Sequence, residues 1–363
     1  MSSHFVKTGL RGVKFLNNFP VSLPDTPGYA GSVKLADVAK KAGVSVTTVS
    51  RVLNGDDNVK TSTRTRVQRV MEDLKYYPNL HARSLAGGRD KTLGVIVSNL
   101  DNPFFLDVYR RLETMAHNSG YETIVSASHY DPARLQASLR LMIGRRVAGI
   151  AAIVSEMQPE LVAELESVGI PLVCYDLDHG SRRVTNIRSN YKLGMRQLVK
   201  YLCSLGHRRM AFVAYHVPLG PTEDRRRTFL ETMAEHSASA HVVSPASEDL
   251  LGGREATREL MESGFVPTAI LCVNDVIAIG VLKELHDRRI AVPQQISVTG
   301  FDNIQLSQFT IPSLTTVHIP RDRIAELAFA ALTPAHTAPS RRSQEFLLEP
   351  ELIVRGSTGP VNT

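Results

Sequence analysis

A cluster of short hydrogen-bonding side chains near the start of the chain has the chemistry to contact nucleic acid. Thr47, Thr48, Ser50 and Arg51 fall within five consecutive positions. Hydroxyl groups and a guanidinium group of this kind bond phosphate oxygens and base edges in the major groove of DNA. These side chains can read DNA only if one face of a rigid element presents them together.

Two short helices are predicted to provide that face. Apolar residues recur at helical spacing as two stripes, namely Leu35, Val38, Ala39 and Ala42, then Val46, Val49, Val52 and Leu53. Gly43 permits a tight turn between them, and Ser45 is a favourable N-cap for the second helix. The spacing predicts a helix-turn-helix, with an ordinary helical hairpin in an unrelated core as the alternative.

A third helix and the distribution of charge favour the DNA-binding interpretation. A further apolar stripe follows at Val67, Val70, Met71 and Leu74, and Arg64, Arg66 and Arg69 lie in the same segment. Residues 1–90 hold 14 Lys and Arg against 7 Asp and Glu, whereas the rest of the chain holds 28 against 29. The basic excess therefore lies in the part predicted to meet a polyanion.

The residues resemble a known family. The segments are DVAKKAGVSVTTVSRVLNG at 37–55, LKYYPNLHARSLAGG at 74–88, LGVIVSNLDNPFF at 93–105, PTAILCVNDVIAIG at 267–280 and ISVTGFDN at 296–303. Together they resemble the lactose-repressor (LacI/GalR) family of bacterial transcription regulators over residues 33–357. The resemblance implies an N-terminal three-helix DNA-binding head, a hinge helix, and a two-lobed, doubly wound α/β core like that of periplasmic binding proteins.

The resemblance also implies which residues meet DNA. Val46 and Thr47 would contact base edges and Arg51 would pair with a guanine, although Val46 could instead pack inward. Positions beside the phosphates would be Ser45, Thr48, Ser50, Asn54 and Tyr76.

A hinge helix is implied for residues 79–91. Asn79 would contact DNA there, and Leu85 would wedge into the minor groove and kink the duplex. The alternative for Leu85 is a plain packing residue. The segment is too short to be helical alone, so we expect it to fold on the operator.

Beyond residue 90, short apolar runs alternate with amphipathic stretches, which predicts two α/β lobes with parallel sheets. Ligands of such sheets bind beyond the carboxyl ends of the strands. Polar side chains follow several predicted strands, at Ser98, Asn99, Asp176, Asn274 and Asp302. A polar cleft between the lobes is therefore expected.

The resemblance implies that the chain crosses between the lobes near residues 189, 318 and 345. We expect residues 1–32 to be a disordered extension, with a start codon placed too early as the alternative. A head at 33–78, a hinge at 79–91, a core at 92–357 and a tail at 358–363 are expected to follow. The first lobe would hold about 92–189 and 318–344, and the second about 190–317 and 345–357. No leucine heptads follow the core, so a homodimer on a two-fold operator is expected.

An effector site is implied in the cleft. Arg225 matches a family arginine, although Thr228 replaces the usual glycine, and Asn274 and Asp302 match hydrogen-bonding positions. Asn102, Phe104 and Phe105 match a loop that contacts the ligand. Ser98, Asp176 and Asp275 complete the expected set, although Asp275 is equally explained as a helix cap. These groups suit a sugar or sugar acid, with a purine as the weaker alternative.

Other classes of protein fit less well. No phosphate-binding loop, dinucleotide fingerprint, metal cluster or nucleophile elbow is present, so we expect neither an enzyme nor a cofactor or metal. A sugar-transport protein would need an export signal and no DNA-binding head. No apolar run reaches the length of a membrane span. Cys174, Cys203 and Cys272 are few and far apart, as in a cytoplasmic protein with reduced thiols. The implied DNA binding adds the expectation that the protein is nucleoid-associated.

Overall fold

The computed structural model describes residues 33–53, 56, 58–76, 91–177, 184–215, 220–333 and 344–361. The chain divides into two compact units, Met1–Gly88 and Arg89–Thr363. We call the first unit the head and the second the core. Each has its own hydrophobic interior, so each is described by itself.

Three helices form the described part of the head, α1 (Leu35–Ala42), α2 (Val46–Leu53) and α3 (Thr61–Asp73). Gly43 ends α1 in the left-handed region at φ 63°, where its N–H donates to the carbonyls of Ala39 and Lys40. A residue without a Cβ adopts this conformation at little cost. The buried side chains are those of the predicted stripes, Val38, Ala39, Ala42, Val49, Val52, Val67 and Val70.

The core alternates strands with helices. Its strands are β1 (Thr92–Val97), β2 (Glu122–Ala127), β3 (Gly149–Ile153), β4 (Leu172–Tyr175), β5 (Thr185–Ser189), β6 (Arg209–Val213), β7 (Ser239–Val243), β8 (Ala269–Cys272), β9 (Ser297–Thr299), β10 (Thr316–His318), β11 (Glu345–Leu348) and β12 (Glu351–Ile353). Its helices are α4 (Pro103–Asn118), α5 (Pro132–Gly144), α6 (Pro159–Val168), α7 (Tyr191–Ser204), α8 (Gly220–Glu235), α9 (Leu250–Glu262), α10 (Asp275–Asp287) and α11 (Arg321–Leu332), with a 3-10 turn at Gln305–Gln308.

Two parallel sheets define the lobes. The first lobe has six strands in the order β11-β5-β4-β3-β1-β2, and the second has four in the order β7-β6-β8-β9. All pairs within them are parallel. Strand order reverses next to the first strand of each lobe, so the polar ends of the strands face a crevice. The fold class expected from the sequence is therefore confirmed.

The chain passes from one lobe to the other after β5, after β10 and after β11. Glu345–Leu348 pairs in parallel with β5, so it belongs to the first sheet. The third crossing therefore follows Leu348, and the expected change of lobe near residue 345 is corrected. An antiparallel ribbon of β10 and β12 lies in the region of the crossings.

Close helix packing fixes the second lobe. A Cβ on Gly253 of α9 would lie 2.2 Å from the carbonyl oxygen of Ile277 in α10, so only glycine allows the two backbones this approach.

Within the described ranges, no helix is both long enough and apolar enough to cross a membrane. The same ranges contain no group of three or more His, Cys, Asp or Glu side chains placed to hold a metal ion.

Candidate functional site

The polar face of α2 is exposed on the head. Val46 is 46% exposed, so the alternative in which it packs inward is wrong. Ser45, Thr47 and Arg51 are also exposed, while Thr48 and Ser50 are half-buried. The apolar stripe of α2 faces the opposite way, with Val49 and Val52 buried. One short helix therefore presents a set of hydroxyl groups and one guanidinium group to solvent.

Local bonds hold this face in place. The backbone N–H of Thr48 donates to Ser45 Oγ at 3.1 Å, and the two hydroxyl oxygens are 2.8 Å apart. Ser45 is thus the predicted N-cap of α2. Arg51 Nε lies 3.7 Å from Asp56 Oδ2, and its side chain is 61% exposed. Such a surface ion pair is weak, so Arg51 can exchange it for another acceptor.

The other residues predicted to contact DNA are either partly buried or outside the described residues. Tyr76 is half-buried and packs against the interior of the head, and burial raises the pKa of its hydroxyl. Asn54, Asn79 and Leu85 lie outside the described residues, as does nearly all of the 79–91 hinge.

A small cavity of about 30 Å³ lies in the cleft between the two lobes of the core. That volume is roughly the share of one water molecule in the liquid, so a larger ligand requires the lobes or the lining rings to move apart. The first lobe provides Asn102, Phe104, Phe105, Tyr130, Ser155 and Tyr175, and the second provides Tyr191, Tyr215, Pro221, Arg225, Asn274 and Asp302.

Aromatic rings form one side of the cavity. Asn102 caps α4 by accepting from the backbone N–H of Phe104 at 3.0 Å, which fixes the two phenylalanines at the start of the helix. Phe104 and Phe105 meet edge to face with ring centroids 5.2 Å apart. Tyr130 of the first lobe and Tyr215 of the second approach across the cleft at 6.1 Å. The rings of both lobes therefore close around the same space.

Arg225 provides the positive charge of the cavity. It is only 8% exposed, and it donates to the carbonyl oxygens of Pro221 and Val273 at 3.1 and 3.0 Å. Its guanidinium carbon lies 4.7 Å from the ring centroid of Tyr191 and 5.0 Å from that of Phe301. These contacts leave the guanidinium rigidly oriented and mostly desolvated.

Buried carboxyl groups surround this charge. Burial raises the pKa of Asp302 to about 7, against the opposing effects of Arg225 and Arg321. Burial also raises the pKa of Asp176 to about 7, although Tyr191 Oη donates to it at 2.6 Å and the Ser189 N–H at 2.9 Å. Shifts of this kind are typical of binding and catalytic sites, because function places ionisable groups where water cannot solvate them.

The structure brings most of the predicted effector residues to the cavity. Asn102, Phe104, Phe105, Arg225, Asn274 and Asp302 line it. Asn274 caps α10 by accepting from the Ile277 N–H at 2.8 Å, so its NH₂ group remains as the donor for a ligand.

Three predicted residues do not line the cavity. Ser98 donates to Glu156 at 2.7 Å, and Asp176 lies behind Tyr191. Asp275 accepts from the Ile304 N–H at 2.8 Å and from the Thr316 hydroxyl at 2.5 Å, entirely within the second lobe. Asp275 therefore does not line the cavity, and it does not cap α10 either, because Asn274 is the N-cap, so the helix-cap alternative is wrong.

Three tyrosines and one carboxylate of the cleft were not expected from the sequence. Tyr175 is the last residue of β4, and Tyr130 and Tyr215 follow the carboxyl ends of β2 and β6, which is the same signal that points to Ser98 and Asp176. Glu248 had no such signal. It accepts from Asn99 Nδ2 at 2.7 Å and so links the second lobe to the first.

An exposed helix-turn-helix face and a two-lobed cleft define a class of protein, a DNA-binding regulator with a ligand-binding core. Family models agree with this division. The model for bacterial regulatory proteins of the lacI family matches residues 34–79, and that for a periplasmic binding protein-like domain matches residues 199–358.

Curated relatives cover nearly the whole chain. The HTH-type transcriptional repressor PurR of Photobacterium profundum is 30% identical over 331 residues, which is 90% of this chain and 99% of that protein. The ribose operon repressor of Escherichia coli is 31% identical over 328 residues, 89% of this chain and 99% of the relative. The chain belongs to the lacI family of bacterial regulatory proteins and is a DNA-binding transcriptional repressor of that family.

Solved structures show the same architecture. The lac repressor dimer bound to operator and the anti-inducer ONPF superimposes with a TM-score of 0.77 at 25% identity, covering 91% of this chain and all of that one. A transcriptional regulator of the family from Silicibacter pomeroyi gives 0.80 at 27% identity, covering 90% and 99%.

Proposed function

We propose that the protein represses transcription in response to a small effector that binds in the cleft. The observation that supports this most directly is the combination in one chain of an exposed polar helix, α2, with an enclosed polar cavity around Arg225 and Asp302. In this proposal Val46, Thr47 and Arg51 contact base edges, and Ser45, Thr48 and Ser50 lie beside phosphates. Asn54, Tyr76, Asn79 and Leu85 extend the DNA contacts.

We propose a homodimer as the DNA-binding form. Phe309 is 73% exposed and Ile311 is 96% exposed, both on the loop before β10 of the core. Large apolar side chains exposed together favour burial against a partner. One relative of known structure, the lac repressor, was solved as a dimer bound to operator, and a two-fold dimer suits a palindromic operator. Because the DNA partner is chromosomal, we place its action in the cytoplasm.

We propose a sugar as the effector. Arg225, Asp302 and the NH₂ group of Asn274 offer donors and acceptors around aromatic rings, which suits a ligand rich in hydroxyl groups. The relatives include a ribose operon repressor, and one solved relative holds bound ribose. A purine effector that acts as a co-repressor is the alternative, since the PurR relatives are similarly close.

The test begins by selecting an operator from random duplex DNA with the full-length protein. Operator affinity is then measured at one salt concentration with panels of sugars and purines. A sugar supports the proposal if it changes the affinity of the protein for operator tenfold or more and leaves its affinity for scrambled DNA unchanged. A purine that alone does so establishes the alternative, and the absence of any selected palindrome contradicts the repressor mechanism.

A further inference from the structure

The cleft holds more negative than positive groups. Four carboxyl groups lie in or beside it, those of Glu156, Asp176, Glu248 and Asp302. Glu156 is 5% exposed and Asp302 is 7% exposed. Against them stands the single guanidinium of Arg225 at the cavity. Arg188 and Arg321 act on Asp176 and Asp302 from outside the lining.

The cavity arginine is already committed. Two of its N–H groups donate to backbone carbonyls, and its planar face packs on Tyr191 and Phe301. Its charge also acts on both Asp176 and Asp302. One guanidinium therefore cannot compensate all of the carboxyl groups that approach the cleft.

Two of the four carboxyl groups have side-chain oxygens that accept no hydrogen bond. Within the described part of the chain, no N–H or O–H donates to the side-chain oxygens of Asp302, which line the cavity. Glu248 Oε2 is buried and has no hydrogen-bond partner, whereas Oε1 accepts from Asn99. Burial raises the pKa of Glu248, and the nearby hydroxyls of Tyr130 and Tyr215 oppose that rise, but neither hydroxyl reaches Oε2 with hydrogen-bond geometry. By contrast, Glu156 is satisfied by the hydroxyls of Ser98 and Ser128.

Glu248 and Asp302 also act on the same space. Glu248 lies beside Tyr130 and Tyr215, which line the cavity together with Asp302. Burial raises the pKa of all three lining groups, and the charge of Glu248 adds to each rise. Two acceptors without donors, close enough to repel each other's charge, form a site that a positively charged donor would stabilise.

We propose that the effector carries a protonated amino group, and that Glu248 and Asp302 select it. This inference rests on the proposed function, because it names the chemical class of ligand for the same cleft. An ammonium group offers three donors and one positive charge, so it can satisfy both carboxylates at once. A neutral hydroxyl group offers one donor and leaves the charge uncompensated, and a sugar acid adds a further negative charge. The amino sugar or amino polyol class therefore replaces the sugar acid expected from the sequence.

The test compares ligands that share a carbon skeleton. The sets are glucosamine, glucose and glucuronate; glucamine, sorbitol and gluconate; and putrescine, 1,4-butanediol and succinate. Binding to the full-length protein is measured by calorimetry at pH 8, above the pKa of about 7 of Asp302. In at least one set the amine binds about tenfold or more tightly than its neutral partner, as a charge-assisted hydrogen bond predicts, and the acid binds weakest.

Variants test whether Glu248 provides the preference for the amine over its neutral partner. Glu248→Gln lowers affinity for the preferred amine about tenfold or more and narrows the gap between the amine and its neutral partner. Glu262→Gln makes the same chemical change at an exposed position on α9 and leaves both affinities unchanged. Asp302→Asn gives a second variant should Glu248→Gln fold poorly, and it narrows the gap in the same way.

The proposal is overturned if no amine binds, if neutral or acidic members bind best in every set, or if both variants retain the full amine preference. Operator affinity is measured separately with and without the preferred amine. An amine that binds with the expected preference but leaves operator affinity unchanged contradicts the proposed regulatory function and not the ligand class. A neutral sugar that changes operator affinity contradicts the ligand class and not the regulatory function.

Discussion

The head and the core present their polar groups in opposite ways. On α2 the side chain of Arg51 is 61% exposed and is held by one ion pair to Asp56. In the cleft Arg225 is 8% exposed and Asp302 is 7% exposed. The polar groups of α2 are hydrated, whereas the fold already shields the polar groups of the cleft from water.

This difference predicts how each region responds to change. Loss of a hydrated contact removes the energy of that contact and leaves the fold unaffected. Loss of a buried charge alters ligand binding and stability together, because the group is costly to bury without a partner. Burial without full compensation also raises the pKa values of Asp176 and Asp302 in the core.

The largest effect on binding is expected for Asp302→Asn and the effector. The substitution removes the charge of an acceptor that lines the cavity, so affinity for the effector falls about 100-fold, the upper part of the range for a charged hydrogen bond. Calorimetric titration measures it. Asp322→Asn serves as the control, because the Asp322 side chain is 77% exposed on α11. Equal affinities in the wild type and Asp302→Asn would remove Asp302 from the site.

A smaller effect is expected for Arg51→Ala on the head. Loss of a guanidinium that pairs with a guanine weakens specific operator binding by about 2 kcal/mol and changes non-specific affinity less. Binding to operator and to scrambled DNA at the same salt concentration measures the difference. Arg69→Ala, an exposed arginine on α3, is the matched control. Losses of equal size on both DNAs would mean that Arg51 contacts only phosphate.

The two regions also differed in how far the sequence predicted them. The face of α2 follows from local periodicity, since burial of Val49 and Val52 determines that Val46, Thr47 and Arg51 point outward. In the cleft the strand-end rule identified Asn274 and Asp302. The rule could not show that the neighbouring Asp275 does not line the cavity. The partners of Asp275, Ile304 and Thr316, lie far along the chain.

Glu248 shows the limit most clearly. It sits on a loop with no periodic pattern, and its partner Asn99 is 149 positions away in the other lobe. Its role depends on how the lobes close and not on neighbouring residues. The edge strand Glu345–Leu348 was assigned to the wrong lobe for a similar reason, because its pairing with β5 is a long-range contact.

The core should also respond to pH through Asp302. Burial raises its pKa in the fold to about 7, from 3.8 for the free side chain, so the fold favours the protonated form. This contribution to stability is complete below about pH 4 and is lost as pH rises through 7. Asp302→Asn removes the loss, so the free energy of unfolding of the variant relative to the wild type rises by about 4 kcal/mol between pH 4 and pH 8. Denaturant unfolding at the two pH values measures it, and a difference independent of pH would contradict it.

The smallest effect is expected at a helix cap away from the cleft. Asp131 accepts from the backbone N–H of Ala133 at 2.8 Å at the start of α5. Asp131→Ala should lower the free energy of unfolding by about 1 kcal/mol without changing effector or operator affinity. Thermal unfolding and the two binding assays check this. A change in effector affinity would show that the cleft depends on the whole first lobe and not on its lining groups.

The central claim is that the cleft and the head are coupled in free energy. Effector affinity is therefore measured by calorimetry with and without saturating operator, and operator affinity is measured with and without saturating effector. Coupling is reciprocal, so the account predicts that both affinities change by the same factor, about tenfold or more. An effector that binds in the cleft with the same affinity whether or not operator is bound would contradict it.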